Sequence, residues 1–358
     1  NHEYTIKVVA IANKRSVELL NKTFRTKHEG SSSANPIYIH TIEDFMDMEN
    51  DNYAYYELVN DLDFTDYDFV APFQTKTFQG SFDGKEKTLK NIKIDTRSTY
   101  VGIWGRNAGT SKNLNVENIN VSLLGTSQSS QYISILAARN SGTIENVNIK
   151  SSSINTNFSH SGVVRMGGVS AYSESGSKII GATVDIDYDI QAISRSEFYI
   201  GGIVGELNGA SLKGSKAKTN IAMDNSTTAY LGGAIGQMNF STLNESSAKE
   251  SESELEINIK TTVERVVSND KTVAISIGGF VGRAVKANFT DIYAKANVVY
   301  STANNIVSSQ SMSDKIAIGG FAGSVSNHSR LTNVLADLDV DLGTKEELGE
   351  TTEATIKF

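Results

Sequence analysis

The stretch Tyr199-Ile200-Gly201-Gly202-Ile203-Val204-Gly205 decides the fold, because the chain repeats it. It returns as Tyr230-Leu231-Gly232-Gly233-Ala234-Ile235-Gly236, as Ser276-Ile277-Gly278-Gly279-Phe280-Val281-Gly282, and as Ala317-Ile318-Gly319-Gly320-Phe321-Ala322-Gly323. Weaker copies lie upstream. Met166-Gly167-Gly168-Val169-Ser170-Ala171 has lost the last glycine. Tyr100-Val101-Gly102-Ile103-Trp104-Gly105 and Tyr132-Ile133-Ser134-Ile135-Leu136-Ala137 are more degenerate. Tyr199 to Tyr230 spans 31 residues and Tyr230 to Ser276 spans 46, so the variation falls in the connecting segments. A recurring unit of this length marks a repeat array in which each copy stacks on the next.

Short alternating strands follow several copies. Leu114-Asn115-Val116 and Val147-Asn148-Ile149 place apolar residues two apart, and Val334, Ala336, Leu338 and Val340 do the same. That period points one face inward and the other to water. Glycine suits the repeat in two ways. Stacked strands lie about 4.8 Å apart, where a Cβ at a corner meets the neighbouring backbone. Glycine also tolerates φ values closed to other residues. The glycines expected to have this structural role are Gly102, Gly105, Gly167, Gly168, Gly201, Gly202, Gly205, Gly232, Gly233, Gly236, Gly278, Gly279, Gly282, Gly319, Gly320 and Gly323. A propeller or a sandwich is the competing fold; a propeller should show hairpin turns in most blades, but beyond residue 100 only Asn208-Gly209 offers a hairpin signal. The expected architecture is all-β, a right-handed parallel β-helix (solenoid) with a short N-terminal capping helix.

Composition agrees with this reading. The 358 residues include 29 glycines, two prolines and no cysteine, with net charge −8. Few prolines suit a continuous ladder, since proline removes a donor. Without cysteine there is no disulfide, thiolate metal site or cysteine nucleophile. The acidic balance and dispersed lysines argue against a nucleic-acid partner. No stretch has the length of apolar chain that membrane insertion requires. The chain opens Asn1-His2-Glu3, which reads as a fragment of a longer protein.

The expected organisation runs in four parts: an extension or the end of a preceding domain at 1–34, a cap and first coils at 35–98, the glycine repeats at 99–342, and a polar linker at 343–358. Within the extension, Tyr4 to Ala10 alternates like a strand, whereas Lys14 to Phe24 is more helix-like. Thr41 is a candidate N-cap for a capping helix, with Glu43 and Asp44 in its first turn. Ile42, Phe45, Met46 and Met48 form its apolar side.

The order Tyr55-Tyr56-Glu57-Leu58-Val59-Asn60-Asp61-Leu62-Asp63-Phe64, then Phe78-Gln79-Gly80-Ser81-Phe82-Asp83-Gly84, is distinctive. With the glycine units it resembles the N-terminal β-helical region of the Gram-positive immunoglobulin A protease family, surface zinc metalloendopeptidases that carry so-called GLUG repeats. Adhesins carry the repeat too. The resemblance covers roughly residues 37 to 342. It implies an extracellular protein, secreted or attached to a Gram-positive cell wall. It also implies zinc in a separate catalytic domain of the parent. The expected partners are those other domains and a host glycoprotein such as immunoglobulin A.

That family's zinc signature is His-Glu-x-x-His. The five histidines, His2, His28, His40, His160 and His328, do not have this spacing, so no catalytic residue carries over and no metal site is expected. Asp61, Asp63, Asp66 and Asp68 cluster as calcium ligands could, but the glycine and closing glutamate of a calcium loop are missing, so solvated acids fit better. Asp83-Gly84 most simply makes a hairpin or tight corner. The acidic run Lys249 to Glu256 reads as a solvated strand face, or alternatively as a partner-binding edge. Trp104 reads as lumen packing or as an exposed contact. The sequons at Asn157 and Asn288 follow from the richness in Asn, Ser and Thr. The leading function is a non-catalytic module that positions or binds a protease's substrate. An adhesin or spacer stalk and a carbohydrate-active β-helix enzyme are the alternatives.

Overall fold

The computed structural model describes residues 3–12, 15–25, 29–73, 75–127, 129–160, 162–192, 197–225, 228–241, 244–261, 274–302 and 315–341. The 343–358 segment, His2 and His28 lie outside the described residues.

Each repeat contributes a strand to each of three sheets. A long sheet has 15 strands and two short sheets have seven each. One repeat shows the path: Thr183–Ala192 in the long sheet, Glu197–Gly201 in the first short sheet, then Val204–Asn208 in the second. Neighbouring repeats pair in parallel and in phase. Tyr199 sits beside Tyr230 and Gly201 beside Gly232, while Glu206 sits beside Gln237. The protein is thus nearly all-β, with parallel strands and a short helix, as the repeat period implied.

The two short strands are joined by the pair Gly202-Ile203, and this turn is built on close backbone approach. A Cβ on Gly201 would lie 2.3 Å from the Val204 carbonyl oxygen and 2.6 Å from the Gly236 nitrogen. On Gly202 it would lie 2.4 Å from the Gly233 oxygen in the next repeat. On Gly236 it would lie 2.4 Å from the Ile200 nitrogen, across in the other short sheet. The two short sheets therefore meet backbone against backbone. None of the repeat glycines has positive φ. Space, and not conformational freedom, selects glycine here.

The turn is tied to the long sheet by hydroxyls. Tyr188 Oη donates to the Gly201 oxygen at 2.9 Å, Thr219 Oγ1 to the Gly233 oxygen at 2.7 Å, and Ser253 Oγ to the Gly279 oxygen at 2.7 Å. These carbonyls are buried, and each unmet one would cost roughly 1–3 kcal/mol. Between turn and sheet lies the core, including Phe198, Ile200, Val204, Leu207 and Phe280, all fully buried.

The long sheet departs from simple alternation at a recurring position, and in some repeats at a second, as at Asn118 and Ser151 with φ of 54 and 48°. Asn113, Asn146, Glu250, Asp291 and Asn333 adopt φ of 54, 51, 50, 56 and 52°. Gly181 and Gly214 occupy the same left-handed bend at 64 and 61°. Asparagine tolerates this region better than most residues. Its amide also links repeats here: Asn146 Nδ2 donates to Asn113 Oδ1 at 3.2 Å, and Asn333 Nδ2 to Asp291 Oδ1 at 2.8 Å.

The capping helix runs Ile42–Met46 and continues as a 3-10 turn, Asp47–Asn50. Thr41 caps it reciprocally with Asp44: the Asp44 N–H donates to Thr41 Oγ1 at 3.2 Å and the Thr41 N–H to Asp44 Oδ2 at 3.0 Å. Phe45 and Met48 are fully buried. Phe45 stacks on Trp104 at 5.3 Å, and Phe78 and Phe82 close around the same indole. Trp104 is core packing, fully buried.

Two sequence readings are corrected. The helix-like reading of Lys14 to Phe24 does not hold where the chain is described: Arg15–Arg25 is a strand, paired antiparallel with Glu3–Ala12. Its weak helical pattern yields to a partner that satisfies the backbone. Of the hairpin or tight corner expected at Asp83-Gly84, the hairpin does not form, and neither does one at the Asn208-Gly209 signal. The first lies inside the strand Ser81–Lys90, bent by Lys85 and Glu86 at φ 48 and 57°. The second is a corner at which Gly209 has φ +66°, before Ser211–Lys213 joins a different sheet.

Alanine at Gly232 and Gly176 should separate the two roles of glycine. At Gly232 the new Cβ lies 2.0 Å from the Ile235 oxygen, so G232A should cost about 3 kcal/mol or more. Gly176 has open space but φ +83°, so G176A should cost only about 1–2 kcal/mol. Guanidinium midpoints report the order, and equal costs would refute the backbone-contact account.

Candidate functional site: a tyrosine and arginine furrow

The phased stacking brings two rows of side chains face to face between the short sheets. In the first short sheet the row is Tyr100, Tyr132, Arg165, Tyr199 and Tyr230. In the second it is Arg106, Arg139, Tyr172, Glu206, Gln237 and Arg283. Both rows begin at the glycine turn: the tyrosines precede the glycine pair, and the opposite row follows the last glycine position.

Guanidinium groups and phenol rings interleave across the gap. Arg106 lies 4.3 Å from the Tyr100 ring centre, and Arg139 lies 5.6 Å from both Tyr132 and Tyr172. Arg165 sits 5.1, 5.2 and 5.3 Å from Tyr132, Tyr172 and Tyr199. Arg283 lies 5.1 Å from the Tyr230 ring and donates to its hydroxyl at 3.2 Å. Tyr100 and Tyr132 stack at 5.3 Å with planes 10° apart. Cation–ring contacts of this kind are worth about 0.5–2 kcal/mol each, more as water is excluded.

Charge is only partly balanced. Arg165 bonds Glu206 deep in the furrow, where their side chains are 15% and 6% exposed. Arg139 pairs with Glu174 at 2.5 Å. Glu197 reaches the Tyr199 and Tyr230 hydroxyls. Among the described residues, Arg106 and Arg283 have no carboxylate partner. Burial opposes the charge on Arg165, but Glu206 outweighs it and raises the guanidinium pKa above its usual value. Burial likewise pushes the Tyr172 and Tyr199 hydroxyls up, so they remain protonated donors at physiological pH.

The residues singled out from sequence lie elsewhere. Asp61 accepts the Thr88 N–H at 2.8 Å, and Asp63 binds the Thr65 hydroxyl at 2.6 Å, Asn91 at 2.8 Å and Lys90 at 3.3 Å. Among the described residues no group of three His, Cys, Asp or Glu converges as metal ligands would. Asp83 binds Asn113 at 3.0 Å and Lys112 at 3.4 Å. Burial would raise its pKa, but these donors and Lys85 outweigh burial and lower it. The acidic run lies in Ser246–Thr261, between two other long-sheet strands and so not at an edge. Its acids face lysines: Glu254 sits between Lys218 and Lys295, and Glu252 meets Lys216 at 3.0 Å.

No protein-family model matches the sequence, and comparison with curated proteins finds no match. Among solved structures, the 1.30 Å crystal structure of a candidate immunoglobulin A1 protease from Bacteroides ovatus matches with TM-score 0.51 and 16% identity. The match covers 84% of this chain and 86% of that one. A structure named IgA1 protease matches with TM-score 0.40 and 15% identity over 88% of this chain and 24% of its own. At these identities the likeness speaks to fold alone.

Two predictions follow from the furrow and from Asp83. R165M removes the cation from the buried Glu206 carboxylate, which keeps the Asn239 Nδ2 donor at 3.2 Å, and should cost about 3 kcal/mol. Adding E206Q should recover part of that loss, and additive costs in a double-mutant cycle would show that the pair is not coupled. Because folding lowers the Asp83 pKa, its stabilisation is full well above 3.8. As pH falls through that value the unfolded chain protonates first and the stabilisation fades. D83N should therefore flatten the acid limb of a thermal-stability profile.

Proposed function

We propose that the chain winds as a right-handed parallel β-helix and serves as a non-catalytic module of a secreted or wall-attached zinc metalloendopeptidase of the immunoglobulin A protease kind. In that role it positions or binds a host glycoprotein substrate. The right hand is the usual sense for parallel connections. The observation that carries the reading is the fold likeness to the Bacteroides ovatus chain, which spans 84% of this chain and 86% of that one. The motif pair at Tyr55–Phe64 and Phe78–Gly84 supports it independently.

Zinc and peptide-bond chemistry belong, on this reading, to another domain of the parent. Among the described residues, His40 lies beside the capping helix and His328 in the last described repeat, far apart in the stack, so these two do not form a zinc set. What this module contributes is a long, preorganised sheet. Rigidity reduces the ordering cost of binding a large partner.

Surface plasmon resonance of this chain against purified immunoglobulin A, at two salt concentrations, tests the proposal. Saturable binding is expected, with weakening in salt if the charged rows take part. No binding at high micromolar concentration would overturn the substrate-binding role and leave a spacer stalk.

A further inference from the structure

We propose that the tyrosine and arginine furrow binds an acidic oligosaccharide, a chain of pyranose rings bearing carboxylates, laid along the stacking axis. This deepens the glycoprotein-binding reading and rests on it only for what carries the glycan.

The rings of Tyr100 and Tyr132 face one another, as do those of Tyr199 and Tyr230 at 5.4 Å. Their faces are therefore occupied, and a ligand meets phenol hydroxyls and guanidinium N–H groups. These suit sugar hydroxyls and carboxylates, with the guanidinium fork matching a carboxylate in particular. The end of the furrow holding Arg106 and Arg139 is the more cationic. Arg139 alone of these two has a carboxylate partner, Glu174, whereas the Glu197 and Glu206 carboxylates lie further along.

Bonding capacity remains unused inside the furrow. Arg106 Nε, Arg139 Nε, Arg165 Nη1 and Gln237 Oε1 lack hydrogen-bond partners, and Gln237 is only 4% exposed. A ligand hydroxyl or carboxylate entering between the rows would satisfy some of them.

Spacing selects sugar over peptide. The donor rows advance with the strands, about 4.8 Å per repeat. An extended peptide presents side chains on one face every ~6.6–6.8 Å, out of step with that ladder. A glycan advances by close to one strand spacing per ring, so successive rings meet equivalent donors.

Isothermal titration of the whole chain decides the matter. The probes are tetragalacturonate and sialyllactose as acidic sugars from two sources, lactose as the neutral sugar, and a hexaglutamate peptide as the anion without sugar. At least one acidic sugar should bind at millimolar concentration or better, and lactose and the peptide far more weakly. R106Q and R139Q should each weaken binding about tenfold or more, with a cooperative unfolding transition retained and the thermal midpoint lowered only by the lost ring and carboxylate contacts, and R106K should recover part of the loss at Arg106. Equal binding of lactose, equal binding of the peptide, unaltered binding in R106Q and R139Q, or no binding by either acidic sugar would each overturn the proposal. Immunoglobulin A binding without acidic-sugar binding would remove this site and leave the substrate-positioning role standing.

Discussion

The approach of one backbone to another at the glycine turn governs this molecule. Strands that stack in parallel fix the distance between repeats at about 4.8 Å, and at the glycine turn the two short sheets must then meet without side chains between them. With a would-be Cβ on Gly278 only 2.0 Å from the Val281 oxygen, no other residue fits without moving the chain. That contact brings the two short sheets together, and everything outside the turn inherits its geometry from there. The core forms on one side of each short strand and the furrow on the other.

Burial of polar groups follows from the same contact. A turn pressed into the long sheet hides its carbonyls, and the sheet answers with hydroxyls from Tyr188, Thr219 and Ser253. The donor differs from repeat to repeat, and the carbonyl it serves is that of the first glycine at Gly201 and of the second at Gly233 and Gly279. On the water-facing side, alternating charges hold the register. Asp185, Lys218, Glu254, Lys295 and Asp337 lie in one row across successive strands, each beside an opposite charge. A slip of one residue would lose these pairs and turn the core face outward. The furrow is the third consequence. Side chains flanking the glycines on facing strands are directed toward each other, and arginine interleaved with tyrosine lines that narrow space.

Some of this was legible beforehand. The glycine units announced the stacking, and Thr41 with Asp44 announced the cap. The furrow was not found, although its signal stands beside the glycines. Tyrosine recurs two residues before the first glycine position at Tyr100, Tyr132, Tyr199 and Tyr230. An arginine, glutamate or glutamine follows the last glycine at Arg106, Glu206, Gln237 and Arg283. Read along the chain these are scattered polar residues. Only the pairing register makes them two rows, and only the fold-back of the turn makes the rows face. Arg15–Arg25 failed for a similar reason, since local pattern could not reveal the antiparallel partner that makes it a strand.

The sequence by itself determined that this chain stacks. Glycine at fixed places, apolar residues two apart and almost no proline leave little else for repeats of this length to do, because those are local properties of space and hydrogen bonding. Only the tertiary structure decided why the glycines are needed and what surface they create. Steric contact between Gly201 and Gly236, cation–ring contact between Arg106 and Tyr100, and the bond between Arg165 and Glu206 all join residues from different strands. Such contacts depend on where one repeat lies on the next, a distance in space that no local pattern in the chain encodes.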